Sequence, residues 1–277
     1  MFQIAKEHRH FGKQILLLAK NELIKTYKGA VIGPFWAVIK PAFTLFVYWF
    51  AFTCGIKNLG DGVSVTMSGI QIGNFDRFTF MLVGFIPWFF ITDSITLGAK
   101  SIRLNRQFVT KVSFPVSTIM TYTAVARLYI HLFLSALMYV YLVFISGISP
   151  SVYNVQFFFY CPLMFLFFVV LTWSTAPMSA FSRDFENMIV SIMSGIFWLS
   201  GVIYSSYNFD DNRVLKWLMM LNPINFFANG YRNAFLYHRW FFEYPLEIIV
   251  FFIEFAVIIA LGIFNYNRLR KTLPDVL

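Results

Sequence analysis

Charge is what this 277-residue sequence has least of: Asp, Glu, Lys and Arg make up 13% of it, against 58% hydrophobic residues. Its mean hydropathy of +0.66 lies far outside soluble globular composition. Acids are scarcest, 13 against 22 Lys and Arg, for a net charge of +9. The basic residues sit in a few short clusters beside apolar runs, which suits membrane orientation, anionic lipid or a protein partner better than nucleic acid. The two cysteines, Cys54 and Cys161, each lie in an apolar run. That excludes a disulfide framework or cysteine metal site and reads as core-type packing. No GxxxxGK[ST], HExxH, paired CxxC or GxSxG occurs, so the chain is expected to be no enzyme and to carry no cofactor or metal. Asp210-Asp211 has no second carboxylate cluster and reads as a helix start. His8, His10 and His238 have no catalytic partner in sequence. The N-terminus lacks the apolar core of a cleaved signal.

What the sequence does have is long apolar runs. The pattern predicts an all-α membrane protein with six transmembrane helices, at about 35–56, 78–99, 116–145, 155–181, 187–204 and 245–266, each about long enough for a hydrocarbon core of about 30 Å. Residues 1–34 form a cytoplasmic N-terminus with an amphipathic interface helix from Lys13 to Lys28. On it Gln14, Asn21, Lys25 and Lys28 share one face, and Leu16, Ala19, Leu23 and Tyr27 the other. This helix is expected to lie on the membrane surface. Gly29, Gly33 and Pro34 break it from the first span. Residues 57–77 read as a polar, Gly-rich loop whose four charges cancel.

Between the second and third spans, 100–115 carries Lys100, Arg103, Arg106 and Lys111 and no acid. The segment 205–244 holds apolar runs too short to span, split at Asn222-Pro223, and predicts a re-entrant helical hairpin buried against protein. Residues 267–277 form a basic tail. Counted near span ends, one side holds fourteen Lys and Arg and the other six, which places both termini in the cytoplasm.

Three charges fall inside spans, where each is costly unless paired: Asp93, Arg127 and Glu254. Two readings are open. Arg127 clamps one of the acids structurally, Glu254 ahead of Asp93 because its depth is nearer, or it meets an anionic substrate group, which the acids would oppose. Lys40, near the start of the first span, can snorkel back to the headgroups. Phe35, Trp36, Tyr48, Trp49, Phe197 and Trp198 are either packing or an aromatic wall suited to a part-sugar, part-lipid substrate.

KTYKGAVIGPFWAVIKP resembles the motif that opens the permease subunits of ABC exporters for polysaccharides. SRDFEN resembles their turn between the fourth and fifth spans, and LNPINFFANGYRNAFLYHRW their outer hairpin. VYWFAFTCGIK, PWFFITDS, SFPVSTIMTYTAVARLYIH, YRNAFLYHRWFF and LPDVL are similar, more narrowly, to teichoic acid translocation permeases of Gram-positive bacteria. The resemblance covers nearly the whole chain. It implies a homodimer joined to two separate ATP-binding cassette subunits that hold ATP and Mg. It also implies a plasma-membrane location and, as substrate, a lipid-pyrophosphate-linked polymer whose phosphates Lys25, Lys28 and Lys40 would hold. Arg103, Asn105, Arg106, Gln107 and Phe108 would form the coupling helix on the ATPase, with Arg183 and Asp184 completing the contact. Phe35, Trp36, Tyr48, Phe197 and Trp198 would line the path. Asn222, Pro223, Tyr231 and Arg232 would belong to an outer gate. The rivals are an O-antigen, capsule or drug exporter of the same architecture, a secondary transporter and a polyprenol transferase.

Overall fold

The computed structural model describes residues 2–55, 62–67, 70–111, 114–209 and 211–277. A short helix α1 (Phe2–His8) leads to α2 (Gly12–Tyr27), and a 3-10 turn leads to α3 (Trp36–Phe50), which ends in a π-helical turn through Gly55. The break between α2 and α3 uses positive φ at Gly29 (86°) and Gly33 (53°), conformations that a Cβ disfavours. A hairpin, β1 (Gly62–Met67) and β2 (Ile70–Asp76), precedes α4 (Arg77–Leu104), α5 (Arg106–Thr110), α6 (Val116–Phe144), α7 (Phe157–Phe181) and α8 (Arg183–Trp198). Two short helices, α9 (Arg213–Met220) and α10 (Pro223–Arg232), then α11 (Pro245–Leu269) and α12 (Leu273–Val276), complete the chain.

Among the described residues, five segments are long and apolar enough to cross a membrane: Gly33–Gly55, Arg77–Leu104, Val116–Phe144, Val152–Phe181 and Pro245–Leu269. They correspond to five of the six expected spans. The expected fifth, 187–204, is the exception. There α8 has 16 residues, about 24 Å of helix, before Leu199–Tyr204 turns back. The expected loop at 57–77 also differs. Its described part holds an antiparallel hairpin with Gly62 opposite Asp76. Val63 and Val65 point inward and Ser64 outward, the two-residue alternation of a half-buried strand.

α4 is the central element, packed by α6, α7, α8 and α10, and its apolar side chains fill the main core. α11 lies on the far side of α7. At one end of the bundle Ile4, Ile102, Met120, Ala176, Tyr266 and Leu273 form a second core, so both termini share that end. Glu7 secures it. Its carboxylate accepts from Ser117 Oγ (2.5 Å), Tyr266 Oη (2.7 Å) and Arg270 Nη1 (3.3 Å). The hairpins lie at the other end. There Asn208 acts as a strand substitute, accepting from Thr66 N (2.9 Å) and donating to Ser64 O (3.0 Å).

α2 does not stand apart from the bundle. Ile15 and Ala19 pack on Ile119, Tyr122 and Ala126, and Arg127 donates to Thr26 Oγ1 at 3.4 Å, so α2 climbs beside α6. Leu16, Leu17 and Ile24 remain exposed, giving the helix an apolar face away from protein and a polar face through Gln14, Asn21 and Lys25. Cys161 is buried, whereas Cys54, expected in a core, is exposed in the π turn.

Candidate functional site

The candidate residues read from the sequence distribute among three regions of the fold.

The first lies at the end carrying both termini. α5 is a single turn after α4, its chain direction broken at Asn105, whose Nδ2 donates to Ser101 O (2.9 Å). Arg106 and Gln107 are exposed, while Asn105 is buried and Phe108 packs on Phe114 at 5.3 Å. Arg103 is not part of the exposed tip. It forms an ion pair with Glu186 of α8, whose other carboxylate oxygen lies 3.3 Å from Lys100 Nζ. Glu186 is buried, and Arg183 and Asp184 just before it are exposed. Ser182 caps α8, accepting from Phe185 N at 3.4 Å. The acid sits in the first turn of α8, where the helix dipole also favours negative charge. Glu186 was not singled out from sequence. Its signal was being the acid three residues into a capped helix, opposite a basic, acid-free segment.

The second region is a cavity of about 840 Å³ between α2, α3, α4 and α6. It brings together Trp36, Lys40, Asp93 and Arg127, residues chosen for three different roles, with Glu22 and His131 in the same wall. Lys40 Nζ lies 6.0 Å from the Trp36 ring centre. Asp93 is within electrostatic reach of Arg127 and Lys40. Among the described residues, none of the ion pairs within 4 Å involves Arg127, Asp93 or Glu254. Glu254 does not face this cavity: α11 packs on α7, and the Glu254 Oε2 atom is buried with no hydrogen-bond partner. Lys25, Lys28 and Phe35 are exposed outside the cavity. At the end of α2, burial raises the Tyr27 hydroxyl pKa above its ordinary value.

Above the cavity, Tyr48 meets Phe197 (5.0 Å), Phe85 (5.3 Å) and Trp198 (6.2 Å), and Trp88 reaches Phe197 at 5.1 Å. The expected path aromatics Tyr48, Phe197 and Trp198 therefore form one cluster joining α3 to the end of α8. Trp49 packs on Phe78 instead, at 6.3 Å.

The third region is the α9–α10 pair. Asn212, rather than Asp211, caps α9, accepting from Val214 N and Leu215 N. Asp211 is exposed and Asp210 lies outside the described residues. Asn222 caps α10, accepting from Ile224 N (3.0 Å) while its Nδ2 donates to Leu199 O (3.0 Å), and Pro223 occupies the first helical position. α10 is buried along its length; α9 buries only Met219. Arg232 is fully buried, lies 3.8 Å over the Phe80 ring, and donates to the carbonyls of Gly201, Val202 and Tyr204. Those carbonyls belong to the turn after α8, so one guanidinium joins α10, α8 and α4. Gly84 of α4 makes this approach possible, since a Cβ there would collide with Val202 O and Arg232 Nη2. Tyr231 Oη is 2.6 Å from His131 Nε2, linking α10 to the α6 turn after Arg127.

Comparison with known proteins adds to this picture. The family model described as ABC-2 type transporter matches residues 13–236, from the start of α2 to the π turn after α10. The chain is also similar to the O-antigen export system permease protein RfbA of Myxococcus xanthus, 25% identical over 239 residues, or 86% of each protein.

Proposed function

The chain belongs to the ABC-2 type transporter family, and from that premise we propose that it is the permease subunit of an ABC exporter of polysaccharide, driven by an ATPase on a separate chain. The observation that carries this reading is the linkage at the end holding both termini. An exposed basic tip, Arg106-Gln107, is bound through Arg103, Lys100 and Glu186 to α8. The far end of α8 carries Phe197 and Trp198 into the cluster with Tyr48. A force applied to the tip therefore reaches the aromatic cluster through one helix.

In this reading the ATPase pair binds ATP and Mg and supplies the free-energy difference between closed and open permease states. α5 is the coupling helix, with Arg183, Asp184 and α2 beside it. Two copies form the exporter, meeting on the exposed apolar faces of α3 and α8, where Phe43, Phe46, Phe50, Ile192 and Trp198 are uncovered. α8 and the hairpin after it together make the fifth traverse. α10, beside Phe80 and Gly84 of α4, is the re-entrant limb of an outer gate, with Asn222, Pro223, Tyr231 and Arg232 holding it shut. Both termini are cytoplasmic in the plasma membrane, in keeping with the Lys and Arg distribution.

The substrate we propose is a lipid-pyrophosphate-linked polymer, most closely wall teichoic acid. Support comes from the motifs that resemble those of teichoic acid permeases and from the O-antigen exporter to which the chain is similar. Lys25, Lys28 and Lys40 face its phosphates, and Tyr48, Phe197 and Trp198 its sugars and lipid. Depletion of the chain in its host tests this. Polymer phosphate should disappear from the wall and lipid-linked polymer accumulate inside; undiminished wall polymer, or loss of a different glycan, removes the teichoic acid assignment.

A further inference from the structure

The cavity at Arg127 has a depth, and the helices fix it. α3 with its π turn, Trp36–Gly55, measures about 30 Å, one hydrocarbon thickness. α4 and α6, with 28 and 29 residues, run to about 43 Å and must overshoot the slab. α3 runs antiparallel to α4, with Lys40 level with Asp93 and Tyr48 with Phe85. Arg127 and Asp93 thus lie about one turn inside the point where α3 begins. This is the edge of the hydrocarbon just beneath the phosphate layer, within reach of a headgroup, and not the middle of the bilayer.

The side chains at that level are unevenly satisfied. Arg127 is only 7% exposed. Of its five N–H donors, one reaches Thr26 at 3.4 Å, and its Nε is buried without a partner. A buried guanidinium short of acceptors is costly, and its planar fork matches phosphate oxygens two at a time. Lys40, in the facing wall, supplies a second cation against the Trp36 ring. Glu22 and Asp93 share the wall without pairing to Arg127. Two cations and two acids leave the wall formally neutral, which suits a headgroup bearing one phosphate and an ammonium or hydroxyls better than a free polyvalent anion. Trp36, Trp88 and Phe90 add apolar surface for the glycerol and acyl carbons.

We propose that this cavity is a lipid-headgroup site, in which Arg127 and Lys40 grip the headgroup phosphate and the acids face its polar remainder. The phosphate belongs either to a bilayer phospholipid, which the neutral wall favours, or to the polyprenyl carrier of the exporter's substrate. The site goes beyond the exporter reading and stands without it.

Native mass spectrometry of the purified, delipidated chain tests it, after titration with phosphatidylethanolamine, phosphatidylglycerol or a long-chain polyprenyl pyrophosphate. Wild type should retain one lipid per chain. Arg127→Gln should weaken retention at least tenfold, Arg127→Lys less, and Lys40→Gln about threefold. Tighter phosphatidylethanolamine identifies a bilayer lipid; tighter polyprenyl pyrophosphate identifies the carrier. Equal retention by wild type, Arg127→Gln and Lys40→Gln for every lipid overturns the proposal. If Arg127→Gln does not yield folded protein, Lys40→Gln decides, since Lys40 is exposed and outside every ion pair described; unchanged retention there overturns the site. No ATPase enters the measurement, so failure here leaves the exporter reading intact.

Discussion

Arg103, in the last turn of α4, is ion-paired with Glu186, in the first turn of α8. The pair joins two helices that arrive at the same end of the bundle from different parts of the chain. It also divides the basic segment by role: Arg103 and Lys100 turn inward to one carboxylate, while Arg106 faces out.

The pair should behave reciprocally. Glu186→Arg or Arg103→Glu alone places like charges together at a half-buried contact and removes a charged hydrogen bond worth about 1.5–3 kcal/mol. Each should lower export and the amount of folded permease. Joining Arg103→Glu to Glu186→Arg should recover much of both. Double-swap protein no better than either single variant would show that the pair does not connect α4 to α8.

Arg106→Glu is expected to act differently. Its side chain is exposed, so abundance should match wild type, while ATPase association falls about tenfold or more through charge repulsion at the docking tip. Pull-down of the ATPase on tagged permease measures this. Undiminished capture would move the docking site away from α5.

Gly84→Ala tests the attachment of the hairpin. The added methyl meets Val202 O and Arg232 Nη2, which are backbone and a guanidinium already held by three carbonyls, so neither gives way cheaply. A cost of about 1–3 kcal/mol from overpacking is expected, seen as a lower melting temperature in detergent. A melting temperature at or above wild type would mean that the α8 turn yields freely.

Glu254→Gln should leave abundance unchanged or raise it, because this carboxylate has a buried, unpartnered oxygen in an apolar helix and ionised acids there are costly. Loss of folded protein would reveal a partner for Glu254 and restore it as one half of a clamp.

Much of this was readable from the chain alone. Five spans follow from apolar runs that nothing else in a protein of this size explains, and Asn222-Pro223 marks the start of α10 because an Asn cap followed by Pro is a local signal. The β-hairpin was readable in Val63-Ser64-Val65 but was masked by the surrounding glycines. Other features needed three dimensions. Sequence spacing gives depth along a helix but not the direction a side chain faces around the bundle. Counted back from the contact between Tyr266 and Glu7, Glu254 does sit near the level of Arg127, yet α7 carries α11 away from α6. The same limit hid Glu186 as the partner of Arg103, and hid how Lys40, Asp93 and Arg127, more than 30 residues apart from one another in sequence, meet in one cavity.

The central claim is that this chain is the membrane half of an ATP-driven exporter, and reconstitution tests it most directly. Permease and its ATPase are placed together in liposomes carrying lipid-linked teichoic acid precursor on the ATPase-facing leaflet, and the polymer reaching the opposite leaflet is measured with an impermeant probe. The account predicts transfer that requires ATP, Mg and both proteins, and that is lost with Arg106→Glu. Transfer by the permease alone, or no association between permease and ATPase, would contradict it.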